Sequence, residues 1–381
     1  MLWRFGKMGK EECETVKVML VIGARPQIIK SAPIIHEASK DAEVEFQIVH
    51  TGQHYDFEMS RIFLDELELP DPVVNLGVGS GSHGWQTGKM IVGLEKTIKE
   101  LKPDLVLVPG DTNSTLAGAL AAVKVHVPVA HVEAGARSYD MRMPEEVNRR
   151  LTDHCSRMLF AVTENCVNNL LKEGIPEDQI HLAGDSMYDG LLKHMARSLK
   201  GDVVERLGLE VGEFAVLTVH RPENVDDPEA LRDIVEAVIE LKELTIVFPV
   251  HPRTLERLKA TGLLKKMKEA RHVRVVDPVG YHEMLQLVKD SKLVFTDSGG
   301  LQKEAFWLHT LCITLRERTE WVETVELGAN VLVGSDKEMI VGKVRECLAM
   351  KGLDMKLKGL SNPFGDGNAS VKIVEALKEF C

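Results

Sequence analysis

No two cysteines here stand at Cys-x-x-Cys spacing: Cys13, Cys155, Cys166, Cys312, Cys347 and Cys381 are scattered along 381 residues. That excludes a disulfide framework and a cysteine metal cluster, and reads as reduced thiols in a cytoplasmic protein. The histidines and carboxylates show no HExxH-type spacing either, so no metal is expected. Positive charge is short as well. Lys and Arg number 47 against 58 Asp and Glu, a formal net charge of −11. Proteins that hold nucleic acid present a basic face, so nucleic acid is excluded as the main partner. An acidic protein still binds phosphates through helix N-termini and a few local Arg and Lys. Long apolar runs are missing too. The longest, Leu116–Val123, falls well short of the roughly 20 residues of a membrane span. Met1–Lys17 is charged and lacks the apolar stretch of a signal peptide. Residues 1–16 read as an N-terminal extension, with Met8 as an alternative start.

What the chain does have is alternation. Short β-branched runs are followed by helical segments from Lys17 to about Gly334. Candidate strands in the first half are Val18–Gly23, Phe46–Thr51, Leu105–Pro109, Val127–Val132, Met158–Thr163 and Ile180–Ala183. Those in the second half are Ala215–His220, Thr245–Val250, Val273–Asp277, Leu293–Thr296, Cys312–Leu315 and Val331–Val333. Unbroken Val/Ile/Leu runs suit strands buried on both faces of a parallel sheet. Val92–Leu101 and Leu231–Leu241 have the spacing of amphipathic helices and supply crossovers. The length suits two domains. The expected architecture is α/β, with two Rossmann-like doubly wound parallel sheets facing across a cleft. Residues 17–186 form the first domain, 187–361 the second, and 362–381 a final helix after the breaker Asn362-Pro-Phe-Gly-Asp-Gly-Asn368.

Ligands of open parallel sheets bind beyond the carboxyl ends of the strands, and the polar motifs lie there. Thr296-Asp-Ser-Gly-Gly-Leu-Gln-Lys-Glu304 ends a strand and opens a helix. Ser298 caps the helix, while Gly299 and Gly300 expose backbone N–H groups to an anion. Glu304, four residues past Gly300, is placed to accept from a ribose diol. A capped helix in tight contact explains Ser298 and one glycine, but not both glycines together with Glu304. Gly23-Ala-Arg-Pro-Gln-Ile-Ile-Lys30 has a proline suited to a first helical turn, which brings Arg25 and Lys30 to the strand end. Lys30 also reads as an ordinary solvated helix residue. Asp111 in Pro109-Gly-Asp-Thr-Asn113 and Glu133 in His131-Val-Glu-Ala-Gly follow strands that look adjacent. Capping for Asp111 and an ion pair for Glu133 are the structural alternatives. In Pro144-Glu-Glu-Val-Asn-Arg149, Glu145 and Arg149 stand four apart on one helical face, and acidic residues are favoured in that first turn on dipole grounds alone. His220 and His251 each follow a strand and neighbour an arginine. The literal GxGxxG at Gly79–Gly84 lacks a good preceding strand and a following acidic strand end, so it is not a dinucleotide fingerprint. A covering loop and a plain surface loop both fit it.

Gly23-Ala-Arg-Pro, Gly110-Asp-Thr, His131-Val-Glu-Ala-Gly, Pro144-Glu-Glu-Val-Asn-Arg, Asp297-Ser-Gly-Gly-Leu-Gln and Asn362-Pro-Phe-Gly-Asp-Gly occur in that order. This set resembles the non-hydrolysing UDP-N-acetylglucosamine 2-epimerases over nearly the whole chain. The resemblance implies a GT-B architecture, a final helix that crosses back to the first domain, a homodimer, a UDP-sugar substrate, and neither metal nor nicotinamide cofactor. It makes Asp111, Glu133, Glu145 and His220 the catalytic set. Arg25, Lys30, Arg149, His251, Val279, Ser298, Gly299, Gly300, Glu304 and the position of Trp321 become UDP-sugar contacts. Bacterial members are activated by their own substrate, and Gln53-His54 falls where that second site lies. The C2 hydrogen of a UDP-sugar is not acidic, so inversion proceeds either by oxidation at C3 with a nicotinamide or by elimination and re-addition of UDP. Without a dinucleotide fingerprint, elimination is the expected route.

Two positions depart from the family pattern. Gln27 stands where many members have Glu, and Trp321 in Thr319-Glu-Trp-Val-Glu323 stands where many have an arginine that contacts the nucleotide. With Gly184-Asp-Ser-Met-Tyr-Asp189, these changes resemble the branch acting on a UDP-2,3-diacetamido-glucuronic acid. A GT-B glycosyltransferase, a hydrolysing epimerase and a non-catalytic UDP-sugar-binding regulator are the rival readings.

Overall fold

The computed structural model describes residues 15–40, 42–53, 57–198 and 201–380. Residues 1–14 of the N-terminal extension, with Met8, and His54 lie outside the described residues, while Val16 already belongs to the first strand. The chain divides into two compact units, one comprising the residues up to Ala136, Met141–Gly190 and those from Phe364 on, the other Arg137–Asp140 and Leu191–Pro363.

The first unit is built on seven strands: β1 (Val16–Ile22), β2 (Val44–His50), β3 (Val74–Asn75), β4 (Leu105–Pro109), β5 (Val129–Ala134), β6 (Met158–Ala161) and β7 (Ile180–Leu182). Their order is β3-β2-β1-β4-β5-β6-β7, with parallel pairing between neighbours. The order reverses between β1 and β4, which is the switch point where doubly wound sheets leave a crevice. β3 is absent from the sequence-based strands because two residues carry no readable pattern. It exists through pairing of Val74 with Val49 and Asn75 with His50. Four helices position the site: α1 (Arg25–Ala38), α2 (His83–Leu101), α3 (Asn113–Lys124) and α4 (Pro144–Cys155). Pro26 and Pro144 stand in the first turns of α1 and α4, where the missing N–H costs nothing. Thr112 caps α3, and its own N–H is returned to Thr115 Oγ1 at 3.2 Å.

Met19, Val21, Val106, Val108 and the alanine face of α3 (Ala117, Ala121) bury a common core with Met90 and Leu94 of α2. At about 25 cal/mol per Å² of apolar surface removed from water, such layers supply the main drive to fold. The C-terminal helix Ala369–Lys378 belongs to this unit and packs on α1. The Asp189 carboxylate accepts the backbone N–H of Ala369 at 3.3 Å and of Ser370 at 2.7 Å, satisfying that helix's first turn.

The second unit has six strands: β8 (Phe214–Thr218), β9 (Thr245–Pro249), β10 (Val273–Val276), β11 (Leu293–Thr296), β12 (Leu311–Thr314) and β13 (Asn330–Leu332). Their order is β10-β9-β8-β11-β12-β13, again parallel, with the reversal between β8 and β11. Helix α5 (Gly299–Trp307) starts just beyond β11 and lies buried along most of its length. Among the described residues no helix is long and apolar enough to cross a membrane.

Candidate active site

In the first unit the motifs after β1, β4 and β5 meet. Lys30, one and a half turns into α1, is buried and its Nζ lies 2.5 Å from Glu133 Oε1. It is therefore not a solvated helix residue. A Cβ added at Gly110 would sit 3.0 Å from the same Nζ, so Lys30 also lies against the loop that carries Asp111. Gly110 has φ +70°, a conformation that costs a glycine little and a side-chain residue more. Glu133 has φ +75° without being glycine, at an irregularity of β5 between Val132 and Ala134. Such a bulge re-aims one side chain out of the strand's alternation.

Asp111 is held by α4. Arg149 donates through Nη1 to Asp111 Oδ2 at 2.7 Å, and through Nε and Nη2 to Glu146 Oε2 at 3.1 and 2.8 Å. Beside the four-residue spacing to Glu145 that the sequence showed, its guanidinium thus reaches Glu146, three residues before it, and Asp111. Glu146 is fully buried and also accepts from Arg150. It braces an arginine that in turn fixes Asp111, whose side chain is 23% exposed. Asn148 donates to the Asp111 carbonyl at 2.9 Å and reaches Asn113 Oδ1 at 3.3 Å. Glu145 is half-buried in the first turn of α4. Arg25, at the first position of α1, places its guanidinium 4.4 Å from the Phe63 ring centroid.

The Gly79–Gly84 segment runs into α2 and is tied down. Gln86 Nε2 donates to the carbonyls of Gly79 at 2.8 Å and Gln53 at 2.9 Å. Asn113 Nδ2 donates to Gln86 Oε1 and lies 3.1 Å from His83 Nδ1. Gln53 itself accepts from the Ser114 hydroxyl at 2.7 Å. Gln27, the departure from the family's Glu, accepts the N–H of Gly23 and Ala24 and donates to the Pro109 carbonyl at 3.1 Å. It clamps the ends of β1 and β4 together.

In the second unit the centre is Asp297, fully buried beyond β11. Its carboxylate accepts from the backbone N–H of His220 and Arg221 and from Asn224 Nδ2, and Oδ1 lies 2.8 Å from His220 Nδ1. Burial works to raise its pKa. The charge and hydrogen bond of His220, with the Arg221 N–H and guanidinium, outweigh burial and bring it down to about 2. His220 is left 43% exposed with Nδ1 engaged. His251 caps the next helix by accepting from Arg253 N–H, and its ring centroid is 6.3 Å from that of His220.

Ser298 caps α5, and Gly299 and Gly300 supply first-turn N–H groups, which have no acceptor within their own helix. Gly299 is required by a close approach. Its Cβ would fall 2.3 Å from Glu320 Oε1 and 3.2 Å from Trp321 Nε1. Glu320 is paired with Arg316 at 2.9 Å. Trp321 is only 2% exposed and covers the buried Lys303, whose Nζ lies 4.0 Å from its ring centroid. Glu304 is buried on α5, and Val279 lies half-buried in the loop after β10. Among the described residues no group of three or more His, Cys, Asp or Glu is placed to hold a metal ion.

Sequence reasoning gave Glu146 only a stabilising place in a first helical turn, and gave Asn148, Asp297 and Glu320 no site role. The three-residue spacing of Glu146 and Arg149 was a readable signal. Asp297 and His220 are separated by 77 positions, and no local pattern joins them.

Two doubly wound parallel-sheet units with charged side chains gathered at their strand ends define a GT-B-like enzyme. The chain belongs to the UDP-N-acetylglucosamine 2-epimerase family, whose model matches residues 36–378, and is an isomerase of the epimerase type. It is 46% identical over 368 residues to a UDP-N-acetylglucosamine 2-epimerase of Methanocaldococcus jannaschii, covering 95% of this chain and 99% of that protein. It is 44% identical to the UDP-2,3-diacetamido-2,3-dideoxy-D-glucuronate 2-epimerase of Pseudomonas aeruginosa, with 95% and 99% covered. The crystal structure of the M. jannaschii UDP-GlcNAc 2-epimerase in complex with UDP-GlcNAc and UDP superposes with a TM-score of 0.89 over 96% of this chain and 99% of that one.

Proposed function

We propose that this chain interconverts UDP-N-acetylglucosamine and UDP-N-acetylmannosamine by eliminating UDP and adding it back, without hydrolysis. The observation that carries the reading is the buried Lys30–Glu133 pair set against the Gly110-Asp111 loop at the first sheet's switch point. A base removes the C2 proton, the C1–O bond breaks, and UDP leaves with the bonding electrons. A proton then returns to C2 on the opposite face as UDP re-adds at C1. Asp111, Glu133 and Glu145 serve the proton transfers. His220 and the Ser298–Gly300 amides stabilise the departing diphosphate, with Arg25, Lys30, Arg149, His251, Val279 and Glu304 as further contacts. The proposal includes a homodimer in the cytoplasm, which light scattering and cell fractionation test.

A second substrate is favoured by Trp321. Its burial against Lys303 leaves no arginine at that position for the nucleotide. The P. aeruginosa relative, at 44% identity, makes a UDP-2,3-diacetamido-glucuronic acid the alternative.

Proton NMR in heavy water tests the proposal. Loss of the H2 signal with appearance of UDP-N-acetylmannosamine supports it, and free sugar or no change on either UDP-sugar refutes it. Glu133→Gln is expected to lose C2 exchange while UDP still binds. Normal turnover by that variant would remove Glu133 from the catalytic set.

A further inference from the structure

One fully buried titratable pair has no part in that chemistry. His131 lies on β5 two residues before Glu133, Asp153 lies on α4, and neither side chain is exposed. His131 Nε2 is 2.7 Å from the carbonyl oxygen of Gly110, and Nδ1 is 2.6 Å from Asp153 Oδ1. The other oxygen of Asp153 accepts the N–H of Gly135 at 3.2 Å. A carbonyl oxygen only accepts, so Nε2 carries a proton and donates it. Nδ1 and the carboxylate then share a proton along the second contact.

The chain of hydrogen bonds thus runs from Gly135 through Asp153 and His131 to Gly110, and its ends are informative. The Gly110 carbonyl belongs to the same planar peptide unit as the N–H of Asp111, so fixing that oxygen fixes the plane from which Asp111 departs. Gly135 closes the turn that follows Glu133. Gly110, Glu133 and Gly135 all have positive φ, at +70°, +75° and +79°. The two glycines adopt it at little cost, whereas Glu133 does not, so the turn after β5 is the one that gains most from outside support.

We infer that His131 and Asp153 form a positioning pair that orients the Gly110–Asp111 peptide and the turn after Glu133, holding both carboxylates for proton transfer at C2. This inference rests on the roles proposed above for Asp111 and Glu133. Neither member of the pair touches substrate. The pair acts through the backbone, and a misplacement of about 1 Å at the reacting groups is worth roughly 10²-fold in rate.

Two half-replacements separate positioning from packing. In His131→Gln the amide nitrogen takes the place of Nε2 and keeps the bond to Gly110. In His131→Asn it takes the place of Nδ1 and keeps only Asp153. Both remove the ring, so a packing role alone penalises them alike. Wild-type turnover, abolished in Asp111→Asn, first establishes the underlying roles. His131→Asn is then expected to lose roughly 10²-fold in kcat with KM nearly unchanged, while His131→Gln retains most of wild-type kcat. Equal kcat losses in the two variants, or a rise in KM that accounts for the loss, overturn the inference. Should His131→Asn not fold, or the wild type not turn over either sugar, the ¹⁵N-histidine spectrum of the intact wild-type chain decides. A protonated, exchange-protected Nε2 on His131 supports the pair, and a bare Nε2 overturns it. Absence of turnover counts against the proposed function alone.

Discussion

Replacing Lys30 by methionine keeps the length of the side chain and deletes one charge of a buried ion pair. Lys30 and Glu133 are each 7% exposed, and their charged atoms are 2.5 Å apart. At an effective dielectric constant near 20, that separation corresponds to roughly 7 kcal/mol of attraction. Taking each ion out of water costs several kcal/mol, so the intact pair adds little net stability. Removing one partner is another matter, because the remaining ion keeps its desolvation cost and loses the attraction of this pair. Lys30→Met and Glu133→Gln should each cost about 3–5 kcal/mol, or roughly 6–20 °C in Tm for a domain of this size class. The double variant Lys30→Met/Glu133→Gln should recover at least half of the summed loss. Hydrogen exchange on peptides from β4 and β5 reads this unit by itself and tests the cycle directly. Single losses below about 1 kcal/mol, or strict additivity in the double variant, would refute a buried and coupled pair.

Asp297 makes stability depend on acid pH. Its pKa is about 2 folded against 3.8 for the free side chain, so its contribution is complete above about pH 4 and is lost as pH falls towards 2. The difference amounts to about 2 kcal/mol; urea unfolding of wild type between pH 4 and 2 should show it, and Asp297→Asn should lack that segment of the profile. Gln27→Met strips the acceptor from the N–H groups of Gly23 and Ala24 and should cost about 2–4 kcal/mol in urea unfolding. Gln27→Glu keeps that acceptor and should cost less, and the reverse order would falsify the clamp. Gly299→Ala drives a Cβ into Glu320, and a loss of about 1–3 kcal/mol in thermal unfolding is expected; an unchanged Tm would mean that Glu320 swings away freely.

The layered fold was legible because its strands are buried on both faces and so read as unbroken apolar runs, from Val18–Gly23 to Leu293–Thr296. Only β3 escaped, being a two-residue edge defined by its partner and not by its own residues. The loops after β1, β4, β5, β8 and β11 were legible because ligands of such sheets gather at strand ends. What was not legible is which of two physical roles a residue plays. Lys30 looked as much like a solvated helix residue as a site residue, and only the fold brings it to Glu133, 103 positions away. His220 was visible, but not the buried Asp297 that holds its Nδ1. Trp321 was marked as a departure, whereas its stacking on Lys303 follows from how the segment after β12 folds over α5.

Glu133 carries the sharpest tension between stability and use. The other described non-glycine residues with positive φ are Glu68, Lys102, His126, Tyr139 and His309, and all of them lie outside the strands. Glu133 alone adopts this conformation within a strand, at a cost of order 1–3 kcal/mol. Its neighbours explain the need. All six residues of β5 are buried, and regular alternation would put the Glu133 carboxylate on the face of His131, two residues before it. The bulge turns it towards Lys30 instead. An apolar residue in an unbroken β5, with methionine at position 30, would serve stability as well or better. Backbone strain and a desolvated ion pair at one residue are costs that packing does not require. They fall on the carboxylate assigned to C2, next to the loop that presents Asp111, where a fixed orientation is what proton transfer demands.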